Sequence, residues 1–207
     1  MRQELLKIIP LCVFLSLSLS GCGVVAVVGA GTGGAAIIHD RRTTGTFVDD
    51  QITEFKAKSE LGTDQELWEQ SHINVTSFNG VMLLSGEAPN ELLRERATEL
   101  VKRIPKVKIV HNEIAVIAPS SALSRSSDAW ITGKVKTSLI GSGDIDAIRI
   151  KVVTERGIVY LMGIVTRQES EIATDIVRRV GGVQRVIRLF EYIQPDADGN
   201  KHPQEEF

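Results

Sequence analysis

Cysteine is nearly absent from this chain, which has two cysteines among 207 residues. Cys12 lies inside an N-terminal apolar run, and Cys22 follows directly after that run. Neither placement is typical of half a structural disulfide, and no C-x-x-C pair is present. The cysteine pattern therefore argues against a disulfide scaffold and against a metal site built on paired cysteines.

Catalytic motifs are also missing. The sequence contains no H-E-x-x-H, no G-x-S-x-G and no Walker motif. Asp144 and Asp146 resemble a carboxylate pair, but they follow a Gly-Ser-Gly break and are interpreted as a solvated loop edge. The four histidines are scattered over the chain, at His39, His72, His111 and His202. We therefore expect no enzyme, no metal and no cofactor.

The chain has little net charge, with 24 basic and 26 acidic residues and a formal charge of −2. This balance gives no reason to expect a nucleic-acid partner. The two halves differ, however. Residues 48–118 hold 8 basic and 12 acidic residues, whereas residues 128–193 hold 10 basic and 8 acidic residues. The second half is thus the better candidate for an anionic partner.

No apolar run is long enough for an ordinary membrane-spanning helix, since the run from Ile8 to Leu19 is too short. Arg2 and Lys7 precede it, so residues 1–21 are predicted to be a secretory signal. The signal ends in Leu19-Ser20-Gly21-Cys22, which resembles the bacterial lipobox. That resemblance implies lipidation of Cys22. The absence of aspartate after the cysteine implies the inner, periplasmic leaflet of the outer membrane.

Residues 22–46 are rich in glycine and are predicted to form a flexible tether. The segment contains a literal G-x-G-x-x-G from Gly29 to Gly34, with Asp49 and Asp50 about 20 residues further on. A dinucleotide site is rejected, because no strand-helix-strand unit surrounds these glycines.

One pattern occurs twice after the tether. A strand, a two-residue turn and a second strand are predicted around Asn79-Gly80 and again around Arg156-Gly157. Each hairpin is preceded by a predicted helix, residues 48–60 and 128–140, and followed by a helix and a valine-rich strand. The intervening residues 62–72 are predicted to be a polar loop. Thr166 to Glu169 fits a capping box at the start of the last helix.

These repeats predict two domains, residues 47–118 and 128–194, joined by a Ser-rich linker at 119–127 and followed by a polar tail at 195–207. The repeated pattern resembles the BON domain. The residues that carry the resemblance are Gly80, Val81, Leu83, Gly86 and Val107 in the first copy, and Gly157, Val159, Leu161, Gly163, Gly182, Val183 and Val186 in the second.

A lipobox followed by two such units is similar to the dual-BON outer-membrane lipoproteins. The resemblance implies an α+β fold with two tandem αββαβ domains, each a helix pair on a small mixed three-stranded sheet. It also implies non-catalytic binding of anionic phospholipid, of the phosphatidylglycerol or cardiolipin type, by the second domain. Envelope integrity, enrichment at the division septum and a monomeric state are further expectations.

The helix from Asp128 to Ile140 is expected to touch the bilayer through Trp130. Lys134 shares a helix face with this indole, and Val135 and Lys136 complete the predicted phospholipid-binding set. The first domain has Gln51 at the position matched by sequence, so the shared fold does not require the indole.

Two alternatives remain open at this point. The domains could form an adaptor that docks on outer-membrane assembly proteins or on the cell wall. A cell-wall hydrolase is the weaker alternative, because no nucleophile or metal set is apparent.

Overall fold

The computed structural model describes residues 40–118 and 122–194, together with the backbone but not the side chains of 122–124. The predicted signal, Cys22, the tail and most of the tether lie outside these residues. The first half comprises α1 (Thr44–Thr63), α2 (Gln65–Gln70), β1 (His72–Phe78), β2 (Val81–Ala88), α3 (Glu91–Val101) and β3 (Ile109–Val116). The second half comprises α4 (Ala122–Ser142), a 3₁₀ turn (Ala147–Arg149), β4 (Lys151–Glu155), β5 (Ile158–Val165), α5 (Arg167–Val177) and β6 (Arg185–Tyr192).

Both predicted hairpins are confirmed. Asn79 and Gly80 have φ of 52° and 78°, and Arg156 and Gly157 have φ of 53° and 71°. Positive φ at both central residues is the hallmark of the two-residue turn whose twist matches that of the flanking strands. The pairs β1–β2 and β4–β5 are accordingly antiparallel and in register up to the turn.

Each domain forms a mixed three-stranded sheet, ordered β1-β2-β3 and β4-β5-β6. The third strand of each sheet runs parallel to the second, so the chain must cross over through α3 or α5 to reach it. This arrangement confirms the predicted α+β class and the tandem αββαβ plan. The capping box at Thr166 is also confirmed, because the Thr166 hydroxyl accepts the Glu169 backbone N–H and the Glu169 carboxylate accepts the Thr166 backbone N–H.

Three predicted boundaries were wrong. The predicted loop 62–72 contains α2, because Asp64 accepts a hydrogen bond from Leu67 N–H and caps this short helix. The predicted linker 119–127 is helical from residue 122, so α4 starts well before Asp128. Helix α1 begins at Thr44, inside the predicted tether, where the Thr43 hydroxyl caps it.

One face of each sheet is covered by the domain's own helices. In the first domain the core contains buried residues from α1, α3 and the sheet, including Ala57, Leu84, Leu93, Ala97 and Val101. In the second domain the equivalent core includes Ile131, Val135, Leu161, Ala173 and Val177. The helix faces predicted from apolar spacing therefore do point inward.

The other face of each sheet packs on the opposite domain. Side chains from both domains form one apolar cluster, namely Phe78, Leu83, Tyr160, Met162, Ile164 and Ile193. Because adjacent residues of a strand point to opposite faces, these side chains lie on the sheet faces turned away from the helices. Residues 40–118 and 122–194 thus form four layers, namely helices, sheet, sheet and helices, and we call the contact between the two sheets the sheet–sheet interface.

The end of the predicted tether is docked rather than loose. The Arg41 guanidinium donates to both carboxylate oxygens of Glu169, at 2.8 and 2.9 Å, and to the Ile164 carbonyl at 2.7 Å. The neighbouring Arg42 pairs with Asp40 and Asp50, and its guanidinium lies 3.9 Å from the Phe78 ring centroid. These paired arginines fix residues 40–43 on the fold, so the tether prediction was wrong for its last residues.

Within the described residues, none of the helices is both long and apolar enough to span a bilayer.

Candidate functional site

The outer face of α4 is exposed and carries large apolar side chains. Its inner face is buried, as predicted, through Ile131, Val135 and Leu139. Trp130 and Ile140 are each 70% exposed. At about 100° per residue they lie within roughly a quarter of the helix circumference of each other. Such side chains are costly to leave in water without a partner, which makes this face a candidate binding surface.

Two lysines flank this apolar pair. Lys136 is exposed on the side of Ile140. Lys134 is half-buried on the side of Trp130, and its ammonium donates to the Gly181 carbonyl. The exposed face therefore has an apolar centre with a cation on either side. The structure makes Lys136 the freer cation of the two.

Val135 does not belong to the exposed surface. Its side chain is fully buried in the core of the second domain. The predicted inclusion of Val135 among the lipid contacts was therefore wrong, because a residue on the inner stripe of α4 cannot reach a ligand on the outer face. Its role is to hold α4 against the sheet.

A groove lies beside this face, between α4 and the end of α5. It has a volume of about 570 Å³ and is lined by Lys134, Thr137, Ser138, Ile176, Arg179, Val180 and Gly181. Arg179 is exposed and makes no ion pair with a described residue. Sequence reasoning missed it, although an Arg178-Arg179 pair just before Gly181-Gly182 was a visible sign of positive charge at a helix end.

Asp128 anchors α4 to the hairpin of its own domain. Its carboxylate accepts the backbone N–H groups of Arg156 and Gly157, both at 2.8 Å. Because a two-residue turn leaves these amides without strand partners, a buried carboxylate satisfies them and fixes the helix register.

Asp50 does the same in the first domain. It accepts the N–H groups of Asn79 and Gly80, at 2.7 and 3.0 Å, and also bonds to the Ser77 hydroxyl and to Arg42. Burial alone would raise the pKa of Asp50, but these hydrogen bonds outweigh it and lower the pKa below the usual 3.8.

The two aspartates show which residues of α1 and α4 are equivalent. With Asp50 matched to Asp128, the counterpart of Trp130 is Ile52. The predicted match to Gln51 was wrong by one residue. Ile52 is itself 46% exposed. The position therefore points outward in both domains, and only the second domain carries an indole there.

Two buried carboxyl groups lie at the sheet–sheet interface. Glu87 is fully buried, and neither of its oxygens has a hydrogen-bond partner among the described residues. Glu155 is 6% exposed and accepts a hydrogen bond from the Asn74 amide at 2.9 Å. Burial, with further contributions from Glu87 and Asp128, raises the pKa of Glu155 despite that hydrogen bond and the nearby Arg125.

These carboxyl groups do not form a catalytic pair open to substrate, because the packed sheets enclose them. Among the described residues no cluster of His, Cys, Asp and Glu could hold a metal ion. Asp146 caps the 3₁₀ turn and pairs with Arg149, so its partners are structural.

Comparison with known proteins matches the BON domain to residues 49–118 and again to residues 127–194. The chain is 36% identical over 188 residues to the outer membrane lipoprotein DolP of Haemophilus influenzae, covering 91% of this chain and 97% of that protein. It is 35% identical to a 21 kDa hemolysin of Actinobacillus pleuropneumoniae, covering 75% of this chain and 80% of that protein. It is 27% identical to the osmotically-inducible protein Y of Escherichia coli, covering 74% and 77% of the two chains.

The two matched segments coincide with the two sheets and their helices, and the similarity to DolP extends over nearly the whole of both chains. The chain therefore belongs to the BON-domain family, as a DolP-like outer-membrane lipoprotein with two BON domains in tandem.

Proposed function

We propose that the protein is a non-enzymatic, lipid-anchored protein whose second BON domain binds anionic phospholipid through the outer face of α4. The observation that carries the proposal is the exposure of Trp130 and Ile140 on α4. Around the helix circumference, Lys134 and Lys136 lie on either side of this pair. The relevant lipids are of the phosphatidylglycerol or cardiolipin type.

The physical basis is an interfacial contact. An indole favours the headgroup boundary, where its ring is partly desolvated and its N–H still meets polar partners. Each lysine near an anionic surface contributes roughly 1 kcal/mol, and salt weakens that contribution. Arg179, which lines the groove beside Lys134, adds a further cation for a phosphate group.

Lipidation of Cys22 would supply the second attachment. A single weak contact becomes effective when the domain is already held near the bilayer, since the local concentration of lipid is then high. We place the anchor in the periplasmic leaflet of the outer membrane, where the protein supports envelope integrity and becomes enriched at the division septum.

The test uses a lipid-free form beginning at Gly23 and vesicles with or without phosphatidylglycerol. Trp130→Glu should abolish flotation with anionic vesicles while leaving the melting temperature unchanged, because Trp130 is 70% exposed. The matched control is Ile52→Glu, which places the same charge at the equivalent position of the first domain. Equal loss in both variants, or undiminished binding by Trp130→Glu, would refute the proposal.

Septal enrichment has its own test in cells. A lipidated fluorescent fusion carrying Trp130→Glu should remain in the outer membrane but spread evenly around the envelope. Retention at the septum would show that localisation does not depend on α4.

The adaptor function remains a second candidate. A specific observation favours it, namely a separate exposed apolar surface on the first domain.

A further inference from the structure

Helix α1 presents a continuous apolar stripe to solvent. Val48, Ile52 and Phe55 are 49%, 46% and 74% exposed. At about 100° per residue the three fall within roughly 60° of arc. The buried residues of α1, among them Thr53 and Ala57, lie on the opposite side. The stripe therefore points directly away from the sheet.

The stripe leads to a cavity at the C-terminal end of α1. Trp68 is 65% exposed and lies beside Gly62, where an added Cβ would be 3.9 Å from the indole. The cavity has a volume of about 350 Å³, and its apolar walls come from Leu61, Leu67 and Ile73. That volume is at the lower end of ligand pockets and is suited to one large side chain.

Two lysines flank this surface, and a buried hydroxyl lies at its cavity. Lys56 and Lys58 flank the stripe on its two sides and make no ion pair with a described residue, and Lys58 also lines the cavity. The Ser71 hydroxyl is buried at the cavity wall without a hydrogen-bond partner in the described part of the chain. An occupant with apolar side chains and carboxylates would satisfy both features.

The four-layer architecture separates this surface from the bilayer. The helices of the two domains cover opposite outer faces of the stack, so α1 faces away from a membrane that touches α4. This step rests on the proposed function of α4. The separation of α1 from that membrane favours a protein partner for α1 over the lipid surface that α4 contacts.

We propose that α1 and its adjoining cavity dock an amphipathic, acidic helical segment of a partner protein. The segment lies along the Val48–Ile52–Phe55 stripe, with carboxylates near Lys56 and Lys58 and one large apolar side chain inserted beside Trp68. Helices that dock in this way present apolar residues at i, i+3 or i+4, and i+7, which matches the spacing of the stripe.

The chain supplies its own reporter, since it contains two tryptophans, Trp68 and Trp130. In the Trp130→Phe background Trp68 is the only indole. The probe is a tryptophan-free helical peptide of about 18 residues with leucines at the stated spacing and glutamates elsewhere, long enough to follow most of α1. Control peptides carry lysine in place of glutamate, or the same residues in scrambled order.

The glutamate peptide should shift Trp68 emission to the blue and bind at least about tenfold more tightly than either control. Phe55→Ser and Lys58→Glu should each weaken binding by about tenfold, because both side chains are exposed and their loss leaves the fold intact. Ile140→Ser, a comparable change on α4, should leave peptide binding unchanged. Similar binding of all peptides, or no effect of the α1 variants, would overturn the proposal.

Two further measurements separate the other occupants. Loss of anionic-vesicle binding in Phe55→Ser would assign α1 to the membrane instead. A concentration-dependent dimer in sedimentation that Phe55→Ser abolishes would assign the stripe to a second copy of the chain. If Trp130→Glu fails to affect vesicles while the peptide still binds through α1, the proposed function of α4 falls and the docking surface stands.

Discussion

Replacing Asp50 with alanine should destabilise the protein strongly, even though Asp50 belongs to no binding surface. The carboxylate is 3% exposed and accepts four hydrogen bonds, from Ser77, Asn79, Gly80 and Arg42. It therefore joins α1, the first hairpin and the docked segment at residues 40–43. Its removal leaves all three connections open at once.

The magnitude follows from what each partner would lose. Ser77 is fully buried, so an unpaired hydroxyl there costs about 1–3 kcal/mol. The two turn amides are only partly buried and can regain water. Arg42 retains Asp40, which places the lost ion pair at the low end of the 3–5 kcal/mol typical of buried pairs. The sum of these losses is about 4–6 kcal/mol, or roughly 8–24 °C in melting temperature for a chain of this size.

Circular dichroism melts of Asp50→Ala and Asp49→Ala test this directly. Asp49 is adjacent, 38% exposed at its side chain and paired with Lys106 on the surface, so its loss should cost at most about 1 kcal/mol. Because the pKa of Asp50 is lowered in the folded state, its stabilisation is present above pH 3.8 and is lost as the pH falls through the folded pKa. The gap between wild type and Asp50→Ala should shrink accordingly below pH 3.8. Equal melting temperatures for the two variants would refute the assignment.

Three further outcomes are expected. Cys22→Ala should leave an unprocessed or soluble periplasmic form on fractionation, and normal recovery with the outer membrane would contradict lipidation there. Gly86→Ala should prevent stable folding, since Gly86 has φ of 115° and an added Cβ would lie 1.9 Å from the His72 carbonyl oxygen. Gly133→Ala, on open helix surface, should instead raise the free energy of unfolding by about 0.5–1 kcal/mol and the melting temperature slightly. Similar effects of Gly86→Ala and Gly133→Ala on stability would be inconsistent with this geometry. Glu155→Gln should be more stable than wild type at pH 7, because the raised pKa of Glu155 means that its favourable protonated form is lost as the pH rises above 4.5 through the folded pKa. The difference in free energy of unfolding between Glu155→Gln and wild type, measured with urea, should vanish below pH 4.5. A difference that stays constant with pH would contradict the role given to the Glu155 carboxyl group.

The local features of the fold were predictable because their causes are local. Asn79-Gly80 specifies a turn through the φ values that its two residues tolerate. The Thr166 capping box and the buried apolar stripe of α4 are likewise determined by residues that are close together in the sequence. Each of these elements needed no knowledge of a distant partner.

The sheet–sheet interface was missed, although the second domain carries a sign of it. Strand β5 is apolar on both faces, from Ile158 to Val165, which is typical of a strand covered on both sides. In β2 the face turned to the other sheet carries Ser85 and Glu87, both buried and both with side-chain oxygens that have no partner in the part of the chain that the structure describes. These polar residues break the apolar pattern on that face of β2, so the first domain gives a weaker sequence sign of the contact.

The docking of Arg41 could not be predicted from local patterns, because its partner Glu169 is 128 positions away. The mistaken match of Trp130 to Gln51 has a different cause. The segment between helix and hairpin is one residue longer in the first domain, where α2 replaces the 3₁₀ turn. The match on the shared Ile-Thr pair assumed a difference of two residues, so the helix alignment was off by one position. The buried residues Asp50 and Asp128, rather than the shared Ile-Thr pair, show which positions of α1 and α4 are equivalent.

The stacking of the sheets also limits how this protein can change over generations. Each sheet has one face committed to its own helices and the other to its neighbour, so a gene that lost either half would leave Tyr160 and Met162, or Phe78 and Leu83, in contact with water. The outward faces of α1 and α4 are exposed and are not constrained by packing against the other domain. The duplicated halves can therefore drift toward different ligands, one residue at a time, while neither can be discarded.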